Sequence, residues 1–171
     1  MKQDIAHWYA ARVKYHTEKV IKDFLEEKDI KHFIPFQKVF KERNGKRIQK
    51  EKPVIACLIF VNTDYMTAMS IPDNSGINLS YIYNNDTKQF QVIPDKQMQD
   101  FMFLLDFSES VMLIPNENLK RGDRVRVIKG DFMGVEGELV RFKRHRRVVV
   151  RLEGIFSLVT TYIPGEYLEK I

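Results

Sequence analysis

Six of the chain's eight glycines, Gly122, Gly130, Gly134, Gly137, Gly154 and Gly165, fall in its last 53 residues and cut that stretch into runs too short for helices. Between them apolar residues alternate with charge. Val125 and Val127 alternate with Arg124 and Arg126, and Val148, Val150 and Leu152 alternate with Val149 and Arg151. A period of two with glycine turns is the pattern of short strands, so residues 119–171 are expected to form a small barrel-like all-β module. Charge changes at the same place. Residues 1–118 hold 16 Lys+Arg and 16 Asp+Glu, whereas residues 119–171 hold 12 and 7, so the whole formal excess of +5 lies in the second part. Two shifts at one point imply two domains, one of ordinary size and one near the lower limit for folding alone. The expected division is 1–107 for the first domain, 108–118 for a linker containing Pro115-Asn116 and Asn118, and 119–171 for the second.

The first part mixes both periods. His7 to Lys14, opening with Trp8-Tyr9, reads as a strand. Thr17 is the expected N-cap of a helix with Glu18 at the positive end of its dipole. In that helix Val20, Ile21, Phe24 and Leu25 form a core-facing stripe opposite Lys19, Lys22, Glu26 and Glu27. Ile34 to Phe40 alternates, and Asn44-Gly45 predicts a hairpin, because both central residues of a type I′ turn need positive φ. The hairpin tip from Lys41 to Arg47, continuing to Lys50 and Lys52, is mostly basic. It reads as solvated charge on an exposed turn, with phosphate contact as the alternative. Val54 to Val61 is apolar on both faces and is expected to be a central strand. Residues 62–90 read as irregular apart from a short strand near Tyr81 to Tyr83. Phe90 to Ile93 reads as another strand, and Pro94 opens a helix whose Met98, Phe101, Met102 and Leu105 face a core. The first domain is therefore expected to be α+β, an antiparallel sheet flanked by helices.

Composition excludes several classes. With 44% hydrophobic and 12% aromatic residues the chain has material for a core. The longest apolar run, Val54 to Val61, falls well short of the ~18 residues of a membrane span, and the start lacks the apolar segment of a secretory signal. The single cysteine, Cys57, forms no internal disulfide, so a reduced, cytoplasmic protein with no membrane partner is expected. Phosphate-loop, nucleophile-elbow, paired-cysteine and zinc-helix motifs are all missing from the sequence. His7, His16, His32 and His145 are scattered, and Glu26-Glu27 point apart on one helix. Gly130, Gly134 and Gly137 lack the Lys-Ser/Thr and the following helix of a phosphate cradle, so they read as turns. No enzyme activity, catalytic residue, cofactor or metal is expected.

The stretch from Gly122-Asp123-Arg124-Val125 through Gly130, Gly134 and Gly137 to Phe142 resembles a KOW motif, found in NusG-type transcription factors and several ribosomal proteins. Upstream, Trp8-Tyr9 opening the first strand, a helix from about Thr17, a basic hairpin, and Lys52-Pro53-Val54-Ile55 leading to Leu58-Ile59-Phe60-Val61 resemble the NusG N-terminal domain. The resemblance covers almost the whole chain and implies an SH3-like barrel for the second domain. Where the family usually reads Pro-Gly-Tyr, this chain has Ala56, Cys57 and Leu58. That departure resembles a specialised paralogue, closest in look to the UpxY-like antiterminators of capsular polysaccharide operons.

The resemblance implies that the N-terminal domain binds bacterial RNA polymerase through Arg12, Leu58 and Phe60, with burial in the sheet the alternative for the last two. It implies that Lys14 and Tyr15 approach non-template DNA, with plain solvation the alternative. It implies that Val135, Ile155 and Phe156 meet a ribosomal protein or termination factor, with core packing the alternative. Independently of family, Arg141, Lys143, Arg144, Arg146 and Arg147 form a dense basic stretch around His145, with Arg144, Arg146 and Arg147 the expected contacts to nascent RNA or a ribosomal surface. The implied function is elongation or antitermination, suppressing pausing or termination. A ribosome-associated or RNA-binding KOW protein, and a general factor that assists termination, remain open.

Overall fold

The computed structural model describes residues 5–107, 111–114 and 121–171. By contacts the chain divides into two units, one up to Val92 and one from Ile93. The first contains β1 (His7–Val13), α1 (Glu18–Glu27), β2 (Lys31–Phe33), β3 (Phe36–Arg43), β4 (Lys46–Pro53), β5 (Leu58–Thr63), α2 (Tyr65–Ser75) and β6 (Leu79–Tyr81). A two-residue strand, β7 (Val92–Ile93), spans the division.

β1 is apolar and central. It pairs antiparallel with β5 on one side and β6 on the other, and β2 adds to the far edge of β5. Side chains alternate across the sheet, so Tyr9, Ala11 and Val13 share a face with Ile59 and Val61. Ile21 and Leu25 of α1 and Ala68 and Ile71 of α2 join these in one buried cluster. Each of the Val, Ile and Leu side chains among these contributes about 1.5–3 kcal/mol when fully buried. β3 and β4 form a separate two-stranded ribbon. It closes on Asn44-Gly45 with φ of 52° and 70°, the turn those two residues predict.

Four local expectations are corrected. Residues 65–75, expected to be irregular, form α2. Asp64 caps it by accepting from the Thr67 N–H at 2.9 Å, and Gly76 ends it in the left-handed conformation at φ 65°. Pro72 inside α2 has no N–H to offer the Ala68 carbonyl four residues earlier. The buried Tyr81 hydroxyl donates to that carbonyl instead, at 2.8 Å, and burial pushes its phenol pKa up, so it stays a donor. Val20, expected in the core stripe of α1, is 57% exposed. Thr17 occupies the N-cap position without capping, because its hydroxyl donates to the Lys14 carbonyl at 2.6 Å. The strand expected from Val54 begins only at Leu58, because Val54 to Cys57 bend and turn, with Cys57 at φ 62°.

The second unit contains α3 (Asp95–Asp106), β8 (Val111–Ile114), β9 (Asp123–Val127), β10 (Glu136–Phe142), β11 (His145–Arg151), β12 (Ser157–Thr160) and β13 (Leu168–Lys170). Its strands form one antiparallel sheet in the order β13-β9-β10-β11-β12-β8. The alternating valines become its core: Val125, Val127, Val148 and Val150 are buried. α3, expected in the first domain, groups with this unit instead. The buried Asp100 accepts the Glu136 N–H at 3.1 Å, Lys96 donates to the Gly134 carbonyl at 2.8 Å, and the Phe107 and Phe132 rings meet edge to face. Of the expected linker, residues 111–114 form β8 and pair with β12, while 108–110 and 115–118 lie outside the described residues. Gly130 and Gly134 turn the chain at φ 85° and 92°. Gly137 has another role. A Cβ there would sit 2.4 Å from the Val149 carbonyl oxygen of the neighbouring strand, so it is glycine for close approach.

Candidate functional site

The antiparallel register of β1 and β5 sets Arg12 opposite Leu58 and Ala10 opposite Phe60. Arg12 is exposed, whereas Leu58 and Phe60 are 1% and 0% exposed. Of the three expected polymerase contacts, only Arg12 presents its side chain at the surface. Position 57, where the family pattern has glycine, keeps a left-handed backbone despite its Cβ. Two bonds hold it there: the buried Glu18 carboxylate accepts the Cys57 N–H at 2.9 Å, and the Cys57 carbonyl accepts the Val13 N–H at 3.0 Å.

Past β1 the chain turns through Lys14, Tyr15 and His16, all exposed, with His16 at φ 69°. The Tyr15 and His16 rings lie 3.9 Å apart, centroid to centroid. Lys14 and Tyr15 are thus on the surface, as a nucleic-acid contact requires. His16 is a neighbour that the sequence did not single out.

In the second unit the carboxylates are segregated. Glu136 accepts two bonds from Arg126, at 2.9 and 2.7 Å, which hold its carboxyl below the usual carboxylate range. Glu138 pairs with the buried Arg151, Glu153 with Arg121 and Asp123 with Lys170. From Leu139 to Leu152 the sequence has no Asp or Glu at all. The far half of the β10–β11 hairpin therefore keeps the unit's basic excess. Arg141, Lys143, Arg144 and Arg146 are exposed there, and Arg141 stands directly opposite Arg146. Arg147 differs from its neighbours. It is partly buried and donates to the Thr160 carbonyl at 2.8 Å, so it braces the hairpin.

The hairpin closes on Lys143-Arg144, with φ of 47° and 70°. The first hairpin meets the same need with Asn-Gly, whereas L-residues with long side chains are strained in the left-handed region by roughly 1–2 kcal/mol each. Like charges facing across the ladder add a further cost. A turn that keeps two cations at a conformational cost is an outlier from which a functional hypothesis is properly drawn. Tyr162, 57% exposed, lies edge-on to His145 at 6.1 Å, an aromatic neighbour that linear spacing did not reveal. Val135 and Ile155 are buried, and Phe156 is partly exposed.

Among the described residues, no group of three or more His, Cys, Asp or Glu side chains is placed to hold a metal ion, and no helix is long and apolar enough to cross a membrane. What the exposed groups offer is anion binding and aromatic contact. Residues 6–102 match the model of the NusG family, described as transcription termination factor nusG. No curated protein matches the chain.

Proposed function

Because this chain belongs to the NusG family of transcription factors, whose members generally interact with RNA polymerase, we propose that it is a specialised elongation factor that suppresses pausing or termination. The family match over residues 6–102 carries this reading, because it spans β1, the ribbon and β5. Arg12 is the proposed polymerase contact at the surface, with Leu58 and Phe60 as the apolar layer that fixes the strand carrying it. Lys14 and Tyr15 approach the non-template DNA. The second unit is read as a KOW module of SH3-like barrel type, supported by Gly122-Asp123 leading into β9 and by the glycine turn before β10. Arg144 and Arg146 of that module contact nascent RNA or ribosome. Phe156, partly exposed, meets a ribosomal protein or termination factor, while the buried Val135 and Ile155 belong to the module's core.

The mechanism involves no bond making or breaking. A factor that binds the processive polymerase more tightly than the paused one shifts the population between them, and about 1.4 kcal/mol of difference gives tenfold. Specialisation of the UpxY-like kind, for operons such as those of capsular polysaccharide, is supported by Ala56-Cys57-Leu58 in place of Pro-Gly-Tyr. The test is retention of purified core polymerase on the immobilised full-length chain. Wild type should retain it at moderate salt, and Arg12→Glu should lower retention about tenfold with an unchanged circular dichroism spectrum. Equal retention by both would remove Arg12 from the contact.

A further inference from the structure

We propose that a groove of the second unit, walled by Tyr162, Pro164 and Tyr167, is a docking site for a proline-rich segment of a partner protein that carries acidic residues beside its prolines. The proposal does not depend on the polymerase contact.

The groove is built by the connection from β12 to β13. Ile163 of this connection is buried, while Tyr162 beside it is left at the surface. Pro164 then leads into a single 3-10 turn, Gly165–Tyr167. The backbone of Tyr167 is tied on both sides. Its N–H donates to the Pro164 carbonyl at 2.9 Å, and its carbonyl accepts the Ile128 N–H at 2.8 Å. Its ring edge lies 3.4 Å from the place a Cβ would take at Gly130, so the ring packs over a glycine. The space enclosed is about 210 Å³, with the buried Phe132 and Ile163 at its base.

Hydrogen bonding selects the kind of ligand. Among the described residues neither the Tyr162 nor the Tyr167 hydroxyl has a hydrogen-bond partner in the protein, so two phenol donors are free beside apolar faces. A polyproline II segment is complementary to such a surface. It makes no internal hydrogen bonds, presents an unpaired carbonyl about every 3.1 Å, and packs its rings on aromatic faces at little entropic cost because its φ angles are already fixed. A helix has satisfied its own carbonyls and would leave the phenols unused. A strand needs a free backbone edge, and the backbone groups of Ile128 and Tyr167 here are already paired.

Charge selects what flanks the prolines. Lys129 and Asp131 stand on the lining, both exposed, and among the described residues neither has an ion-pair partner within 4.0 Å. They offset each other. Tyr162 lies edge-on to His145, which is followed and preceded by the exposed Arg146 and Arg144, and no Asp or Glu occurs from Leu139 to Leu152. The Tyr162 end is therefore positive, and acidic residues next to the prolines complement it.

The test is fluorescence anisotropy on the full-length chain with labelled decaproline, decaproline ending in a glutamate pair, and a glycine–serine peptide of equal length ending in the same pair. Glutamate-ended decaproline should bind tightest, about threefold or more better than plain decaproline at low salt, with the advantage fading as salt rises. The glycine–serine peptide should bind at least about tenfold more weakly. Tyr162→Phe and Tyr167→Phe should each weaken proline-peptide binding by about twofold to tenfold, since each removes one donor and keeps the ring. Tyr162→Ala, at an exposed position, should weaken it by about tenfold or more with an unchanged circular dichroism spectrum. R144A/R146A should remove the preference for glutamate and leave plain decaproline within about twofold. Tyr83→Ala, an exposed tyrosine of the first unit, should also stay within about twofold. Equal binding of the proline and glycine–serine peptides, unchanged binding by Tyr162→Ala, or no peptide binding by a correctly folded chain would overturn the inference. Binding of an oligouridylate instead of the peptides, lost with Tyr162→Ala, would overturn it in favour of base stacking beside the basic turn.

Discussion

Gly137 sits inside β10 where the backbone of β11 comes closest, with room for a hydrogen but not a methyl group. Gly165, in contrast, has nothing within 4 Å of the place a Cβ would take, and no left-handed constraint. Gly137→Ala is therefore expected to destabilise the second unit by about 1–3 kcal/mol through overpacking against backbone, whereas Gly165→Ala should stay within ~0.5 kcal/mol. Thermal unfolding of the two variants checks this, and equal shifts would contradict it. Spacing alone reads Gly137 as a turn residue, because a glycine's two uses, left-handed backbone and close approach, look identical in one dimension. Cys57 is the reverse case. The left-handed conformation is there without the glycine that would announce it, supported by Glu18 from 39 residues away.

Elements are legible where periodicity is strong. Ile21, Leu25, Met98 and Phe101 occupy core positions as their spacing predicts, and Asn44-Gly45 closes its ribbon. α2 is not legible, because Pro72, Thr67, Ser70 and Asn74 mask a helix whose stability comes from outside it. Asp64 and Gly76 are the available end signals. The decisive bond, from Tyr81 to the Ala68 carbonyl, joins residues 13 apart and no local pattern encodes it. Tyr81→Phe should cost about 1–3 kcal/mol by leaving that carbonyl unpaired. In a Pro72→Ala background the restored N–H at position 72 takes the carbonyl, so the same change should cost less than about 1 kcal/mol. Equal costs in both backgrounds would refute the substitution of phenol for amide. The β10–β11 turn gives a prediction of opposite sign. Lys143→Asn with Arg144→Gly should raise stability by about 1 kcal/mol while weakening RNA binding and its salt dependence. A stabler variant with unchanged RNA affinity would leave the strained turn without its proposed role.

Across the whole molecule the net charge of +5 is less informative than where the carboxylates go. In the first unit Glu51 of the ribbon pairs with Lys19, and in the second Glu136 and Glu138 at the start of β10 pair with Arg126 and Arg151, leaving two cationic surfaces. The sequence located both basic runs, but only register sorted them into faces and withdrew Arg147 from the exposed set. Expected sites built from apolar residues fared differently: Leu58, Phe60, Val135 and Ile155 are buried, since one sequence cannot distinguish an apolar patch from a core. As proposed, this family member lengthens transcripts. Purified polymerase transcribing a matched template with a leader terminator measures it directly, as the fraction of full-length RNA with and without the full-length protein. Read-through should rise with wild type, and that gain should be lost with Arg12→Glu. An unchanged fraction, or a consistent rise in termination, would contradict it.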